Sequence, residues 1–378
     1  MLTFLHTADW HLGITRRFLA PEAQARYAEA RIEAVREIGR LADREGCAFV
    51  LVCGDVFDSN HVDRQVVVRA LDAMAAFTVP VMILPGNHDP ADAASVYSSR
   101  VFRDRCPDTV TVLDGGEPVG IADTDCRLIP APWPTRHPGT DLAAHALAEL
   151  VPDPDRVTVL VAHGAVDVLS PDKDDPALVS ADVLDAALES GAVAYVALGD
   201  RHSVTSVGDS GRIWYPGTPL ATDFGEGAPN QVLVVRLDAD VVQVDEHRVG
   251  GWTFMRHEAH LDGAADVDVL DAWLAGIGDK ARTVVRLALI GTLTPAEDAR
   301  LWDAIEMHAH LLASVTVSDR RTDLTVAAGD GDLTDLGLSG YAADAAVELA
   351  QRAAGDGDAA RAAQDALRTL FRLAAGTS

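Results

Sequence analysis

Five separate stretches of this chain share one pattern: an apolar run that stops at a short polar word built from Asp, Asn and His. FLHTADWH ends in Asp9 and His11, and FVLVCGDVFD ends in Asp55 and Asp58. VMILPGNHD ends in Asn87, His88 and Asp89, VLVAHG ends in His163, and YVALGDRH ends in Asp200 and His202. Short apolar runs bounded by Gly, with helical patterns between them, read as buried strands of βαβ units. In an open α/β sheet the carboxyl ends of the strands share one rim, and ligands gather there. The chain is therefore expected to be an α/β protein whose strands deliver oxygen and nitrogen donors to one place. Gly54, Gly86, Gly164 and Gly199 adjoin these donors, where the backbone must turn sharply at a strand end.

Taken singly, each word is weak, because a lone His at a strand end is commonly a hydrogen-bonded loop residue. The ordered set carries the reading. Three Asp, one Asn and three His, without thiolate, suit a two-metal site for Mn2+, Fe2+ or Zn2+. Cys47, Cys53, Cys106 and Cys126 form no CxxC pair, so neither a disulfide framework nor a cysteine zinc site is expected. The formal net charge of −27 argues against a broad basic grip on nucleic acid. It leaves room for metal-mediated contact with phosphate, since bound dications reverse the local field. No apolar run reaches the roughly 18 to 20 residues of a membrane span, and MLTFLHTADW lacks the layout of a signal peptide. A cytoplasmic protein without membrane contact is expected.

Strands are expected at 2–6, 48–53, 79–84, 157–162 and 193–198, with helices at 23–44 and 62–77. Near Gly250 the pattern changes. Strands at 253–260, 283–289, 314–318 and 323–326, with helices at 267–275 and 295–310, describe a small α+β domain. The stretch AAGDGDLTDLGLSG has a linker's composition, and two helical segments follow at 341–354 and 358–375.

The words DWH, GDVFD, GNHD, AHG and GDRH, in that order, resemble the signature of calcineurin-like metallophosphoesterases. Within that superfamily LHTADWHLG is similar to the opening of SbcD-type DNA exonuclease subunits, and YPGTP, at 215–219, to a segment that follows their site. The resemblance implies a four-layer sandwich, two β-sheets flanked by helices, with a small α+β capping domain and C-terminal helices. It divides the chain into a nuclease domain at 1–250, a cap at 251–328, a linker at 329–340 and helices at 341–378. Those helices either dock on an SMC-like coiled-coil ATPase of SbcC type or fold back on the cap. The implied activity is Mn2+-dependent hydrolysis of DNA phosphodiesters, 3′–5′ exonucleolytic and also endonucleolytic, in repair and recombination, by a homodimer. Two other functions fit the same words: a phosphoesterase for small phosphoesters, and a non-catalytic DNA-end scaffold.

Carried over by residue, the resemblance assigns Asp9, His11 and His202 to one ion. Asn87, His163 and Asp200 go to the other, and Asp55 bridges them. His88 becomes the proton donor or transition-state stabiliser. Asp200 is a departure, since the family pattern has His there. Its carboxylate is shorter and adds charge, which favours a harder ion such as Mn2+; alternatively it points away and the second ion binds weakly. Asp58 either orients His88 or caps a turn. His6 is expected to be packed and hydrogen-bonded, Asp89 to stabilise a turn, and Arg16 and Arg17 to be surface charges. Trp133 either stacks on a base or packs.

Overall fold

The computed structural model describes residues 1–148, 150–238, 241–326, 338–353, 355 and 357–375. Two compact units make up the chain: Met1–Arg16 with Gln24–Trp252, and Arg17–Ala23 with Thr253–Ser378.

The first unit holds strands β1 (Leu2–Thr7), β2 (Val50–Cys53), β3 (Val81–Leu84), β4 (Val110–Val112), β5 (Val119–Gly120), β6 (Cys126–Ala131), β7 (Val157–His163), β8 (Tyr195–Gly199), β9 (Val204–Ser206), β10 (Ile213–Pro216), β11 (Gln231–Asp238) and β12 (Val241–Arg248). They form two six-stranded sheets, β12-β11-β1-β2-β3-β4 and β5-β6-β7-β8-β10-β9. Helices α1 (Pro21–Arg44), α2 (Arg64–Met74), α3 (Arg100–Arg103), α4 (Leu142–Leu147) and α5 (Ala181–Glu189) complete the unit.

Alternation along each strand explains the layering. Phe4, Leu51, Cys53, Val159, Val161 and Ala197 face inward and form one core between the sheets. Their neighbours Leu5, Val50 and Val52 face outward onto Ile32, Val35 and Ile38 of α1 and Val67 and Leu71 of α2. Leu160, Ala162 and Val196 pack on Ala143 of α4 and Leu184 and Leu188 of α5. Both faces of the central strands are buried, so these strands read as continuous apolar runs. The result is two sheets face to face with helices outside them. The sheets are mixed: β1 to β4 run parallel, as do β6 to β8, while β11 pairs antiparallel with β1 and β12 with β11.

The second unit begins two residues later than expected. Trp252 belongs to the first, where its ring packs on Tyr27 and its carbonyl accepts from Asn230. In the second unit β13 (Thr253–Leu261), β14 (Thr283–Leu293), β15 (Ser314–Val317) and β16 (Asp323–Val326) form a parallel sheet. One face of it packs on α6 (Ala264–Gly276) and α7 (Pro295–Ala309) through Leu261, Leu270, Leu274, Leu287, Leu289 and Leu301. Thr294 and Glu297 cap α7 reciprocally, and Pro295 starts it. The C-terminal helices α8 (Tyr341–Ala353) and α9 (Asp358–Ala375) belong to this unit rather than forming a segment of their own. Ala353, Ala363 and Leu367 pack with Ala299 of α7, the folded-back alternative. Of the expected linker, 329–337 lies outside the described residues. No described helix is long and apolar enough to cross a membrane.

Candidate metal centre

The exits of β1 and β2 are stitched together by main chain. Asp9 N donates to Gly54 O at 3.1 Å, His11 N to Asp55 O at 2.9 Å, and Leu12 N to Val56 O at 2.9 Å. Gly164 N, after β7, donates to Gly199 O, at the end of β8, at 3.1 Å. The strand ends thus converge on one rim. The close approach dictates the glycines. A Cβ at Gly86 would lie 2.2 Å from Asp55 Oδ1, and one at Gly199 would lie 1.7 Å from Cys53 O.

His11 Nε2 lies 3.0 Å from His202 Nε2, and His202 Nε2 lies 4.0 Å from Asp9 Oδ1. His163 Nε2 lies 2.9 Å from Asn87 Oδ1 and 3.8 Å from Asp200 Oδ1. Asp55 Oδ2 stands between the two groups, 3.8 Å from His11 Nε2 and 3.6 Å from His163 Nε2. Its other oxygen accepts from His88 N at 2.9 Å. Asp9, His11, Asp55 and His163 are buried, while Asn87, His88, Asp200 and His202 are half-buried and form the mouth.

The far side of each ring is fixed. His163 Nδ1 donates to Cys53 O at 2.8 Å. His202 Nδ1 meets Thr222 Oγ1 at 2.8 Å and Glu226 Oε1 at 3.1 Å. A carboxylate behind an imidazole orients the ring and strengthens it as a ligand. Burial lowers the His202 imidazole, but Glu226, Asp9 and Asp200 outweigh it and hold the group above its ordinary range, with a proton on Nδ1. Burial pushes the His11 imidazole down to about 4, despite nearby Asp58, so the ring is neutral near pH 7. Its Nδ1 lies 3.6 Å from Asp58 Oδ1, too far for a hydrogen bond. A proton between His11 Nε2 and His202 Nε2, 3.0 Å apart, stands where an ion would sit.

The second group has the same character. Burial lowers the His163 imidazole, but Asp55, Asp9 and Asp200 outweigh it and hold the group up at about 9. Its Nε2 proton then bridges to Asn87, in a position that an ion would take. Burial drives the Asp9 carboxyl up to about 7, against the pull of His202 and His163. A crowded, buried acidic cluster of this kind is relieved by positive charge. Donor atoms of Asp9, His11 and His202 lie within 4.8 Å of one another, as do those of Asp9, Asp55 and His163. The donor set fits two divalent ions.

All seven expected ligands converge. Asp58 does so in another way than expected: its main-chain carbonyl, not its carboxylate, meets His88 Nδ1, at 2.9 Å. The carboxylate faces His11, and this contact holds it below the usual range although burial pushes it up. His6 is buried between Tyr195 OH and Leu198 O. Asp89 accepts from Phe57 N, Gly86 N and Tyr97 OH, tying two site loops together. Trp133 is buried and donates to His163 O at 2.6 Å, the packing alternative.

Several supports escape sequence reasoning. Arg31, buried in α1, donates to Trp10 O and to the carbonyls of Leu220 and Ala221. Thr218, within YPGTP, donates to Asp9 O at 2.9 Å. Glu226 and Thr222 stand behind His202. The glycines flanking Glu226 were the one available signal, and they mark a turn rather than a partner.

Residues 2–204 match the family model described as calcineurin-like phosphoesterase. The SbcD component of the SbcCD nuclease of Rhodobacter capsulatus is 30% identical over 134 residues, 34% of this chain and 31% of that protein. Its namesake from Bacillus subtilis is 30% identical over 101 residues, 26% and 24% of the two chains. That of Staphylococcus saprophyticus is 27% identical over 135 residues, 34% of each. The chain spans about a quarter to a third of the length of these curated relatives. Among solved structures, a dimetal phosphatase from Danio rerio aligns with 66% of this chain and 96% of its own, at 17% identity and a TM-score of 0.41. A purple acid phosphatase from yellow lupin seeds aligns with 66% and 51%, at 12% identity and a TM-score of 0.39.

Proposed function

Because the chain belongs to the calcineurin-like phosphoesterase family, we propose that it is a Mn2+-dependent nuclease that hydrolyses DNA phosphodiesters alongside an SbcC-type ATPase. The observation that carries the hydrolytic part is the Asp55 carboxylate, one oxygen of which lies within 4 Å of both His11 Nε2 and His163 Nε2. A shared carboxylate keeps two dications close without prohibitive repulsion. Asp9, His11 and His202 would hold one ion and Asn87, His163 and Asp200 the other, with Asp55 shared between them. Two ions held there would lower the pKa of a water and neutralise charge on the phosphoryl oxygens.

The chain's own groups do the rest. His88 N donates to Asp55 Oδ1, and His88 Nδ1 donates to Asp58 O. The ring is fixed from behind by its Nδ1–H, and in the imidazolium form it would give its Nε2 proton to the leaving oxygen and return to the neutral Nδ1–H tautomer. Such a role is worth about 10² to 10⁴ in rate.

Mn2+ is supported by the hard oxygen donors that Asp9, Asp55, Asn87 and Asp200 bring to the site. The DNA substrate is supported by the LHTADWHLG opening and by relatives named as nuclease subunits. An ATPase partner is supported by those same names and by exposed Tyr341, Val347 and Leu373 on α8 and α9.

The test uses the protein with Mn2+, bis-p-nitrophenyl phosphate and labelled single- and double-stranded DNA. The wild type cleaves all three. His88→Ala loses about 10² to 10⁴ of the rate while its metal content stays the same. A wild type that hydrolyses the small diester and spares DNA refutes the nuclease reading, and one inert toward both refutes the enzyme.

A further inference from the structure

Each of the two proposed ions takes donors from both sheets of the first unit. Asp9, His11, Asp55 and Asn87 follow β1, β2 and β3 of one sheet, while His163, Asp200 and His202 stand at the ends of β7 and β8 of the other. The distances between donors therefore depend on how the sheets are set against each other. Such sites work only when their groups are held to within roughly 0.5 Å. Apolar packing is non-directional and does not fix a setting that closely. Phe4 and Ala8 of β1 put apolar surface into the core between the sheets. His6 lies between them on the same face, fully buried, and is not among the donors.

His6 reaches across that core. Its Nε2 lies 3.0 Å from Leu198 O and its Nδ1 3.1 Å from the Tyr195 hydroxyl, both on β8. A carbonyl only accepts, so Nε2 carries the proton and Nδ1 accepts from Tyr195. The neutral ring is satisfied at both nitrogens, and the Tyr195 ring meets it edge-on. The ladder between β8 and β10 stops short of the Leu198 carbonyl. In it Val196 N donates to Arg212 O, and the last pair is Ala197 with Trp214. Continued by one step, the parallel pattern would give Leu198 O to the amide of residue 216. That residue is Pro216, which has no N–H. The donor comes instead from the other sheet, two residues before Asp200.

We propose that His6 is a positioning residue of the metal centre: by bonding Leu198 across the core it sets the end of β8 against β1, and so sets Asp200 and His202 against Asp9 and His11. The inference rests on the two-ion reading. Two further ties between the sheets, Asp200 N to the Asp9 carboxylate and His163 Nδ1 to Cys53 O, run through the donors themselves. The His6 tie does not. Its loss frees the end of β8 to shift and alters the donor spacing around both ions while every donor stays in place.

The experiment titrates the full chain with Mn2+ by calorimetry, beside urea unfolding and hydrolysis of bis-p-nitrophenyl phosphate. His6→Leu, apolar and of similar size, binds Mn2+ about tenfold more weakly or worse. Its unfolding stays cooperative, and its kcat falls about tenfold or more while KM stays within about twofold. His6→Gln keeps a donor and an acceptor and returns Mn2+ affinity to within about threefold of the wild type. Tyr195→Phe disturbs the same core but leaves the Leu198 bond, and it too keeps Mn2+ affinity within about threefold. His6→Asn, whose amide stops short of Leu198 O, takes the place of the leucine variant if that one does not fold. Wild-type Mn2+ affinity in folded His6→Leu, or equal weakening in Tyr195→Phe, overturns the proposal. A wild type that takes up no Mn2+ refutes the two-ion reading instead.

Discussion

Gly54→Ala tests whether the rim is as tightly built as its geometry requires. Gly54 has φ +89°, and a Cβ there would lie 2.1 Å from His163 Nδ1 and 2.5 Å from its Cγ. Ordinary contact begins near 3.4 Å, so the ring must retreat by roughly 1.3 Å. It has no slack: Nδ1 is bonded to Cys53 O, and its own carbonyl accepts the Trp133 indole N–H. Retreat therefore breaks the Nδ1 bond, worth about 1 to 2 kcal/mol for a buried group. It also carries Nε2 away from Asp55. The left-handed backbone adds about 1 to 2 kcal/mol for any residue with a Cβ. Gly46→Ala is the matched control, with φ +63° and nothing within 4 Å of the added methyl. Urea unfolding should show a loss of about 2 to 4 kcal/mol for Gly54→Ala and about 1 to 2 kcal/mol for Gly46→Ala. Calorimetric titration with Mn2+ should show unchanged affinity in Gly46→Ala and about tenfold or greater weakening in Gly54→Ala. Equal stability losses, or wild-type Mn2+ affinity in Gly54→Ala, would refute the reasoning.

Asp200→His replaces a short charged donor by a longer neutral one, so competition measured by elemental analysis should move toward Zn2+ over Mn2+ by about tenfold. An unchanged ratio would remove Asp200 from the ligand set. Acid should destabilise the protein through His6, which burial pushes down to about 3 despite its bond to Leu198 O. A base with a depressed folded-state pKa leaves stability fully present above its unfolded value of about 6.5 and lost as pH falls toward 3. The slope is about 1.4 kcal/mol per pH unit for this one group, opposed over the same range by the raised Asp9 carboxyl, so the check is the slope lost in His6→Gln, and equal slopes for wild type and variant between pH 6.5 and 5 would contradict it.

The strands that carry ligands were legible because their two buried faces make continuous apolar runs, as in Val50–Cys53 and Tyr195–Gly199. Val110–Val112 and Val204–Ser206 were not, because three residues at a sheet edge leave no period to detect. In β12 the pattern alternates exposed and half-buried positions, so only Val242 and Val244 reach the core between the sheets, and its pairing with β11 sets the register. The ligands were legible by type and order. Their supports were not, because Arg31, Thr218 and Glu226 act on residues far away in sequence. Asp58 shows a finer limit: spacing placed it near His88, yet could not say whether its carbonyl or its carboxylate makes the contact.

Backbone strain ties these threads to a testable state of the protein. Asp9, His11, Asp55 and Asp200 are four of the seven non-glycine residues with positive φ among those described. Each such residue costs about 1 to 2 kcal/mol, and the conformation persists only where its surroundings over-determine it. Here the surroundings are chiefly main chain: the Asp9–Gly54, His11–Asp55 and Leu12–Val56 bonds between the exits of β1 and β2, joined by Asp200 N donating to both side-chain carboxylate oxygens of Asp9. Buried Arg31 and Thr218 hold the same turn from behind. None of these bonds requires an ion, so the rim should be formed before metal arrives. Protein stripped with chelator should keep its near-ultraviolet circular dichroism and cooperative unfolding. Added Mn2+ should raise the melting temperature by mass action alone, with about 2.7 kcal/mol at a hundred times the dissociation constant. If stripping melts the first unit or abolishes its near-ultraviolet signal, the ions shape the rim and the main-chain account of the strain is wrong.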